Sequence, residues 1–276
     1  MNYLNLKKWR TLESKIIFVL LIITFWNITA TAQFEEVEFF NRVNSIYYTL
    51  EQTDLNNFTS WLTSNVFINS TEGFFTEDVF PLEFIWMSTS RMFFSRRPFP
   101  VLDDTSKNGV VERLQLSMRR ELKALLLDWQ RFYSGRLLSN MPPDYSLEIH
   151  ADTVILKYTT VEDTETVNNI LYFGQNGICI KTTLSYSGRN ERIDTYPIFK
   201  YTGEKWLCIG WKVQVFEGNE VSTGYLVEVK SQRVEKYWLP QVFIMNLQTK
   251  NDKESIYIRE YYFRNILINR NIEVMN

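Results

Sequence analysis

The sequence predicts an α+β protein built on a large curved antiparallel sheet, with one N-terminal helix and one interposed helix. Apolar residues recur at helical spacing over residues 34–50 and again over residues 110–133. From Tyr145 onward the pattern changes to strand-like alternation broken by short turns. Because a twisted open sheet of many strands seldom stays flat, we expect the sheet to curl or close.

The C-terminal half contains nine candidate strands, each separated from the next by a turn-like segment such as "GQNG", "SGRN" or "TGEK". They are 145–150, 152–159, 166–173, 177–187, 192–201, 205–216, 222–230, 240–249 and 255–268. Short links of this kind join neighbouring strands, so the pattern predicts a meander in which consecutive strands pair antiparallel.

Two earlier segments are also rich in strand-forming residues. Residues 57–70 carry Thr, Val, Ile and aromatics, which favour a strand. Residues 81–95 form a strand or a broken pair of strands, and their side chains sort by parity. One face carries five bulky apolar groups: Leu82, Phe84, Trp86, Met92 and Phe94. These side chains either pack in the protein core or line a hollow that binds an apolar ligand.

The interposed helix is predicted over residues 110–133, where one stripe of apolar side chains runs from Val111 to Trp129. The segment before it, residues 96–109, contains Pro98 and Pro100 and is predicted to be a loop. In the N-terminal helix, acidic residues stand in the first turns, where the helix dipole favours them.

Residues 1–32 have the order of a secretory signal peptide. Four basic residues precede the apolar run "IIFVLLIITFW", and Ala30-Thr31-Ala32 supplies small residues before a cleavage site. We expect cleavage after Ala32, a mature chain of residues 33–276 forming one domain, and a periplasmic or secreted location. The alternative is an uncleaved anchor, but the apolar run is short for a span of about 20 residues. No later apolar stretch is long enough to span a membrane as a helix, so the mature protein is not expected to be an integral membrane protein.

Charge and motifs exclude several classes of function. The removed segment carries four basic residues and one acidic residue, so cleavage changes the formal net charge from −2 to −5. An acidic chain is a poor candidate for binding nucleic acid. The single histidine, His150, and the lack of common catalytic or nucleotide-binding motifs predict no enzyme, metal or cofactor.

The two cysteines, Cys179 and Cys208, fall on strands that the meander separates by one intervening strand. Strands in that relation lie roughly 9.6 Å apart. Disulfide-bonded residues have Cα atoms within about 7 Å of each other. We therefore expect two free thiols, even though an exported protein meets an oxidising compartment.

The C-terminal residues resemble those of the outer-membrane lipoprotein carrier family. The similarity lies in the Leu239-Pro240 junction and in Phe263, Asn265, Ile268 and Asn269 near the end of the last strand. The upstream order of helix, strands, interposed helix and meander is similar too. The resemblance implies a half-open β-barrel whose concave side is covered by helices and binds lipid or acyl chains. The chain departs from the family in its greater length and its longer interposed helix.

These observations lead to two hypotheses. In the first, the protein is an exported envelope protein, such as a carrier, that binds a lipid or a lipoprotein acyl chain in an apolar hollow under a helical lid. The lining would be Phe84, Trp86, Met92, Phe94, Leu184, Tyr186 and Trp211. In the second, the sheet has a filled core, and the protein is a structural or interaction module that meets a partner protein of the envelope.

Overall fold

The structure, a computed structural model, describes residues 35–89, 91–139, 141–162, 164–249 and 257–271. The predicted signal peptide and its cleavage site lie outside these residues. The chain divides into two compact units at the boundary between Ser45 and Ile46. Residues 35–46 form helix α1, which ends four residues before the helical spacing of residues 34–50 predicts. Arg42 pairs with Glu38 one turn earlier at 2.7 Å.

A large antiparallel sheet dominates the second unit. Its strands among the described residues are β1 (Asn57–Ser64), β2 (Leu82–Met87), β3 (Arg91–Arg96), β4 (Tyr145–Ile149), β5 (Thr153–Glu162), β6 (Glu165–Gly174), β7 (Cys179–Tyr186), β8 (Glu191–Tyr201), β9 (Trp206–Glu217), β10 (Glu220–Val234), β11 (Tyr237–Thr249) and β12 (Tyr257–Ile268). The order across the sheet is β3-β2-β1-β12-β11-β10-β9-β8-β7-β6-β5-β4, so the sheet is not closed. The nine predicted strands and their meander are confirmed.

The beginning and the end of the sheet meet at one strand pair. β1 pairs antiparallel with β12, with Phe58 opposite Ile268 and Leu62 opposite Phe263. The hairpin of β2 and β3 follows on the outer side of β1. Of the two alternatives for residues 81–95, one strand or a broken pair of strands, the structure shows the pair.

The prediction of one strand over residues 57–70 is wrong in its second half. β1 ends at Ser64, and residues Asn65–Ser70 form helix α2. The Ser64 side chain accepts a hydrogen bond from the Phe67 backbone N–H at 3.1 Å. A serine cap satisfies one of the free amides at a helix start, so it outweighs the strand preference of the residues that follow.

The interposed helix, α3, spans Thr105–Trp129 and begins five residues earlier than the sequence predicted. Asp104 is the reason, because its Oδ1 accepts from the Ser106 backbone N–H at 2.9 Å and caps the helix. After Trp129 the helix widens into a π-helical segment, Gln130–Ser134, which ends at Gly135.

The core of the second unit is an aromatic cluster between α3 and the first strands of the sheet. The Trp129 ring lies 6.1 Å from the Phe84 ring and 6.4 Å from the Phe58 and Phe243 rings. Trp86 stacks on Phe58 at 5.9 Å. The parity prediction is confirmed for Leu82, Phe84 and Trp86, none of which has exposed surface.

The prediction of free cysteines is confirmed. β8 lies between β7 and β9, and both Cys179 and Cys208 are buried free thiols. The strand order therefore keeps the two sulfur atoms on strands that are not neighbours.

Candidate ligand-binding cavity

The seven residues predicted to line a hollow fall into two groups. Phe84, Trp86 and Trp211 have no exposed surface and pack within the aromatic cluster. Met92, Phe94, Leu184 and Tyr186 are partly exposed, and each lines a cavity. Trp211 is linked to the cluster through Phe243, with ring centroids 6.3 Å apart.

The main cavity has a volume of about 840 Å³ and lies between α3, its π-helical segment and strands β5–β10. Its apolar lining includes Leu127, Leu137, Val161, Leu184, Ile193 and Val213. Its polar lining includes Asp128, Arg131, Arg136, Thr160, Asn169 and Thr195.

Strand register explains why these side chains meet. Ile193 on β8 is opposite Leu184 on β7, and Thr195 is opposite Val213 on β9. Val213 is in turn opposite Tyr225 on β10. Because directly paired residues point to the same face of a sheet, one face of four strands converges on the cavity.

α3 contributes an exposed apolar side chain and a carboxyl group to the same cavity. Leu127 is 58% exposed, although it stands among buried neighbours on the helix. The Asp128 carboxyl accepts a hydrogen bond from the Tyr225 hydroxyl at 3.5 Å. Part of Asp128 faces the cavity, yet burial by the surrounding protein raises its pKa, and the nearby Arg131 guanidinium opposes that shift.

The π-helical segment brings Arg131 to the cavity. Tyr133, in the same segment, is fully buried and donates to the Ser231 hydroxyl at 3.0 Å. The Gly135 backbone N–H closes the segment by donating to the Gln130 carbonyl at 2.8 Å. Wide helical turns of this type occur frequently at functional sites. These two hydrogen bonds hold the segment in place, and its residues Gln130 and Arg131 line the cavity.

A smaller cavity of about 390 Å³ adjoins the main one. Met92, Phe93 and Phe94 of β3 form one side of it. Arg119, Lys123 and Leu126 of α3 form the other side. Leu127 and Gln130 line both cavities, so the two spaces meet along α3.

A third cavity, of about 650 Å³, was not predicted from the sequence. It is lined by Trp61, Phe74, Phe75 and Phe80 together with the loop around Pro98. The Arg97 guanidinium already lies on the Trp61 ring, 3.6 Å from its centroid. The phenylalanine-rich segment "GFFTEDVF" was the available signal, but its residues come together only through the fold.

Within the part of the chain that the structure describes, no group of three or more His, Cys, Asp or Glu side chains could hold a metal ion. None of the helices found there has the length and apolar character to cross a membrane. Comparison with protein-family models, with characterised proteins and with solved structures finds no match to this chain.

Proposed function

We propose that this protein is an exported, non-enzymatic binding protein that encloses a lipid or acyl chain in the main cavity. The observation that carries the proposal is the cavity itself, whose volume of about 840 Å³ falls within the roughly 300–1,000 Å³ of ligand sites. Burial contributes about 0.8 kcal/mol for each CH₂ group removed from water. A chain of about ten carbons would therefore gain roughly 8 kcal/mol before the costs of binding.

In this proposal α3 covers the concave side of a half-open barrel. Its buried stripe belongs to the aromatic cluster, whereas Leu127 and Asp128 belong to the cavity. The aromatic cluster packs the helix against the sheet, and the cavity binds the acyl chain of the ligand. The signal-peptide pattern of residues 1–32 and the resemblance to lipoprotein carriers support a role in the cell envelope.

A pair of variants on one strand tests the proposal. Ile193→Trp would fill part of the cavity, while Ile198→Trp, five residues later on β8, would add the same ring to the opposite face. Ile198 is 41% exposed, so the control has room for the ring. We expect Ile193→Trp to weaken binding of a fluorescent fatty acid at least tenfold and Ile198→Trp to leave it unchanged.

Native mass spectrometry of gently extracted protein provides the second measurement, and a co-purifying lipid is the expected result. Absence of any lipid, together with no binding of the fluorescent fatty acid by the wild-type protein, would overturn the proposal. The alternative function, a structural or interaction module of the envelope, would then be favoured. One observation supports that alternative: Trp86, Trp129 and Trp211 are completely buried, so much of the sheet face is filled by protein.

A further inference from the structure

The main cavity contains a cation, Arg131, that forms neither an ion pair nor a hydrogen bond with the residues that the structure describes. Arg131 is half-buried at the cavity wall. An arginine keeps its charge at every physiological pH and presents five N–H donors. Removing such a group from water without a partner costs free energy.

We propose that the ligand of the main cavity is an amphiphile with an anionic headgroup, a carboxylate or a phosphate, and that Arg131 binds that headgroup. This inference rests on the proposed lipid-binding function. The flat guanidinium matches both anions, since it can donate two parallel hydrogen bonds to a pair of oxygen atoms. The apolar residues of β7–β9 would contact the alkyl chain of the ligand. Arg131, in the π-helical segment that follows α3, would bind its headgroup.

Asp128 is the nearest candidate partner for Arg131, and the guanidinium opposes the rise in its pKa, but the two groups are not in direct contact. The two residues are three positions apart, and none of the ion pairs found among the described residues joins their charged groups. Asp128 instead accepts from the Tyr225 hydroxyl. Burial also raises the pKa of its carboxyl, which reduces the negative charge available beside Arg131.

Arg136 adds a second cation to the lining of the same cavity. Its side chain is exposed and makes no ion pair with any residue that the structure describes. The nearby Glu51 carboxylate accepts the Arg136 backbone N–H at 3.1 Å. The cavity lining therefore includes one half-buried and one exposed arginine, which suits a headgroup that stays close to water.

The test uses four ligands that share one alkyl chain: dodecanoate, dodecyl phosphate, dodecanol and dodecyltrimethylammonium. Calorimetry gives their affinities for wild-type protein, Arg131→Gln and Arg131→Lys, and circular dichroism checks that each variant is folded. We expect wild-type protein to bind the two anions at least tenfold more tightly than dodecanol. Arg131→Gln should weaken binding of the two anions much more than binding of dodecanol, and Arg131→Lys should keep part of the advantage.

Several outcomes separate this inference from the function on which it rests. Equal affinities for dodecanoate and dodecanol would overturn the inference that the cavity selects an anionic headgroup, but not the proposal that it binds lipid. Tightest binding of dodecyltrimethylammonium would overturn it too, because Asp128 and Glu51 would then select the head. Inorganic phosphate that binds as tightly as dodecyl phosphate would also overturn it, since the chain would contribute nothing. If none of the four ligands bound, the proposed function itself would fail.

Discussion

The phenol oxygen of Tyr47 lies 2.6 Å from the backbone nitrogen of Cys179, which is 132 residues further along the chain. The same hydroxyl donates to the Gly177 carbonyl at 2.8 Å. Tyr47 is buried, so these bonds join the segment before β1 to the turn that precedes β7.

Tyr47→Phe should lower the free energy of unfolding by about 1–3 kcal/mol, because the Cys179 N–H and the Gly177 carbonyl lose a buried partner. Urea denaturation measures the change. Tyr48→Phe is a matched control, since the Tyr48 hydroxyl lies in a half-buried site and, among the described residues, accepts one hydrogen bond, from the Trp238 N–H at 2.9 Å. We expect the smaller loss for Tyr48→Phe, and equal losses would contradict this account.

Trp86→Ala should destabilise the protein by about 3–5 kcal/mol, as expected when a large side chain is removed from a packed core. Trp86 has no exposed surface and stacks on Phe58. Trp86→Phe should cost less than half as much, because it keeps an aromatic ring and removes an indole N–H without a partner among the described residues. Thermal and urea unfolding check both values. A loss below about 1 kcal/mol for Trp86→Ala would show that the site is not tightly packed.

Two glycine substitutions should change stability in opposite directions. A Cβ atom at Gly210 would lie 2.2 Å from the Val227 carbonyl oxygen on the neighbouring strand, so Gly210→Ala should cost at least about 1–3 kcal/mol. Gly109 lies within α3, and a Cβ there meets only the flexible Arg113 side chain at 3.5 Å. Gly109→Ala should therefore stabilise the protein by about 0.5–1 kcal/mol. Melting temperatures that move the same way would contradict the prediction.

Both cysteines should be unreactive in the folded protein. Burial raises the pKa of the Cys179 and Cys208 thiols to about 12, so almost no thiolate is present at pH 8. We expect negligible alkylation by iodoacetamide under native conditions and two labelled thiols per chain after denaturation without reductant. Rapid native labelling, or fewer than two thiols after denaturation, would show that one of them is exposed or oxidised.

Asp128 should make stability depend on pH. Burial raises the folded-state pKa of Asp128 above its ordinary value of 3.8, so the folded protein holds this proton more tightly than the unfolded chain does. Its contribution to stability is therefore complete below pH 3.8 and is lost as pH rises through the folded-state pKa. Asp128→Asn removes the titration, so the variant should gain stability relative to wild type between pH 4 and pH 8. Urea unfolding at both pH values measures the difference, and a constant difference would contradict it.

Most of the sheet could be predicted from sequence because its strands are joined by short turns. Alternation and turn residues placed β4 to β12 in order, and that order explains why Cys179 and Cys208 stay apart. Helix ends were harder to predict. Ser64 and Asp104 cap α2 and α3 through single side-chain hydrogen bonds, which hydrophobic periodicity does not report.

The candidate site shows where sequence reasoning ends. Parity indicates that Trp86 and Leu184 face inward, but it does not indicate what stands opposite each of them. Trp86 meets the Phe58 ring, whereas Leu184 lines a cavity. Arg131 gave no signal at all, because a single arginine after a helical stripe is common in sequences.

By itself, the sequence determined which residues alternate, which faces are apolar and which strands follow one another, because these properties depend on neighbours along the chain. Only the tertiary structure decided that β1 pairs with β12, that Trp129 reaches Phe84, and that Arg131 shares a cavity with Leu184. The physical reason is that packing depends on pairs of residues far apart in the chain. Local periodicity indicates that a face of a strand or helix is apolar. The fold decides whether that face packs against other side chains or lines a cavity.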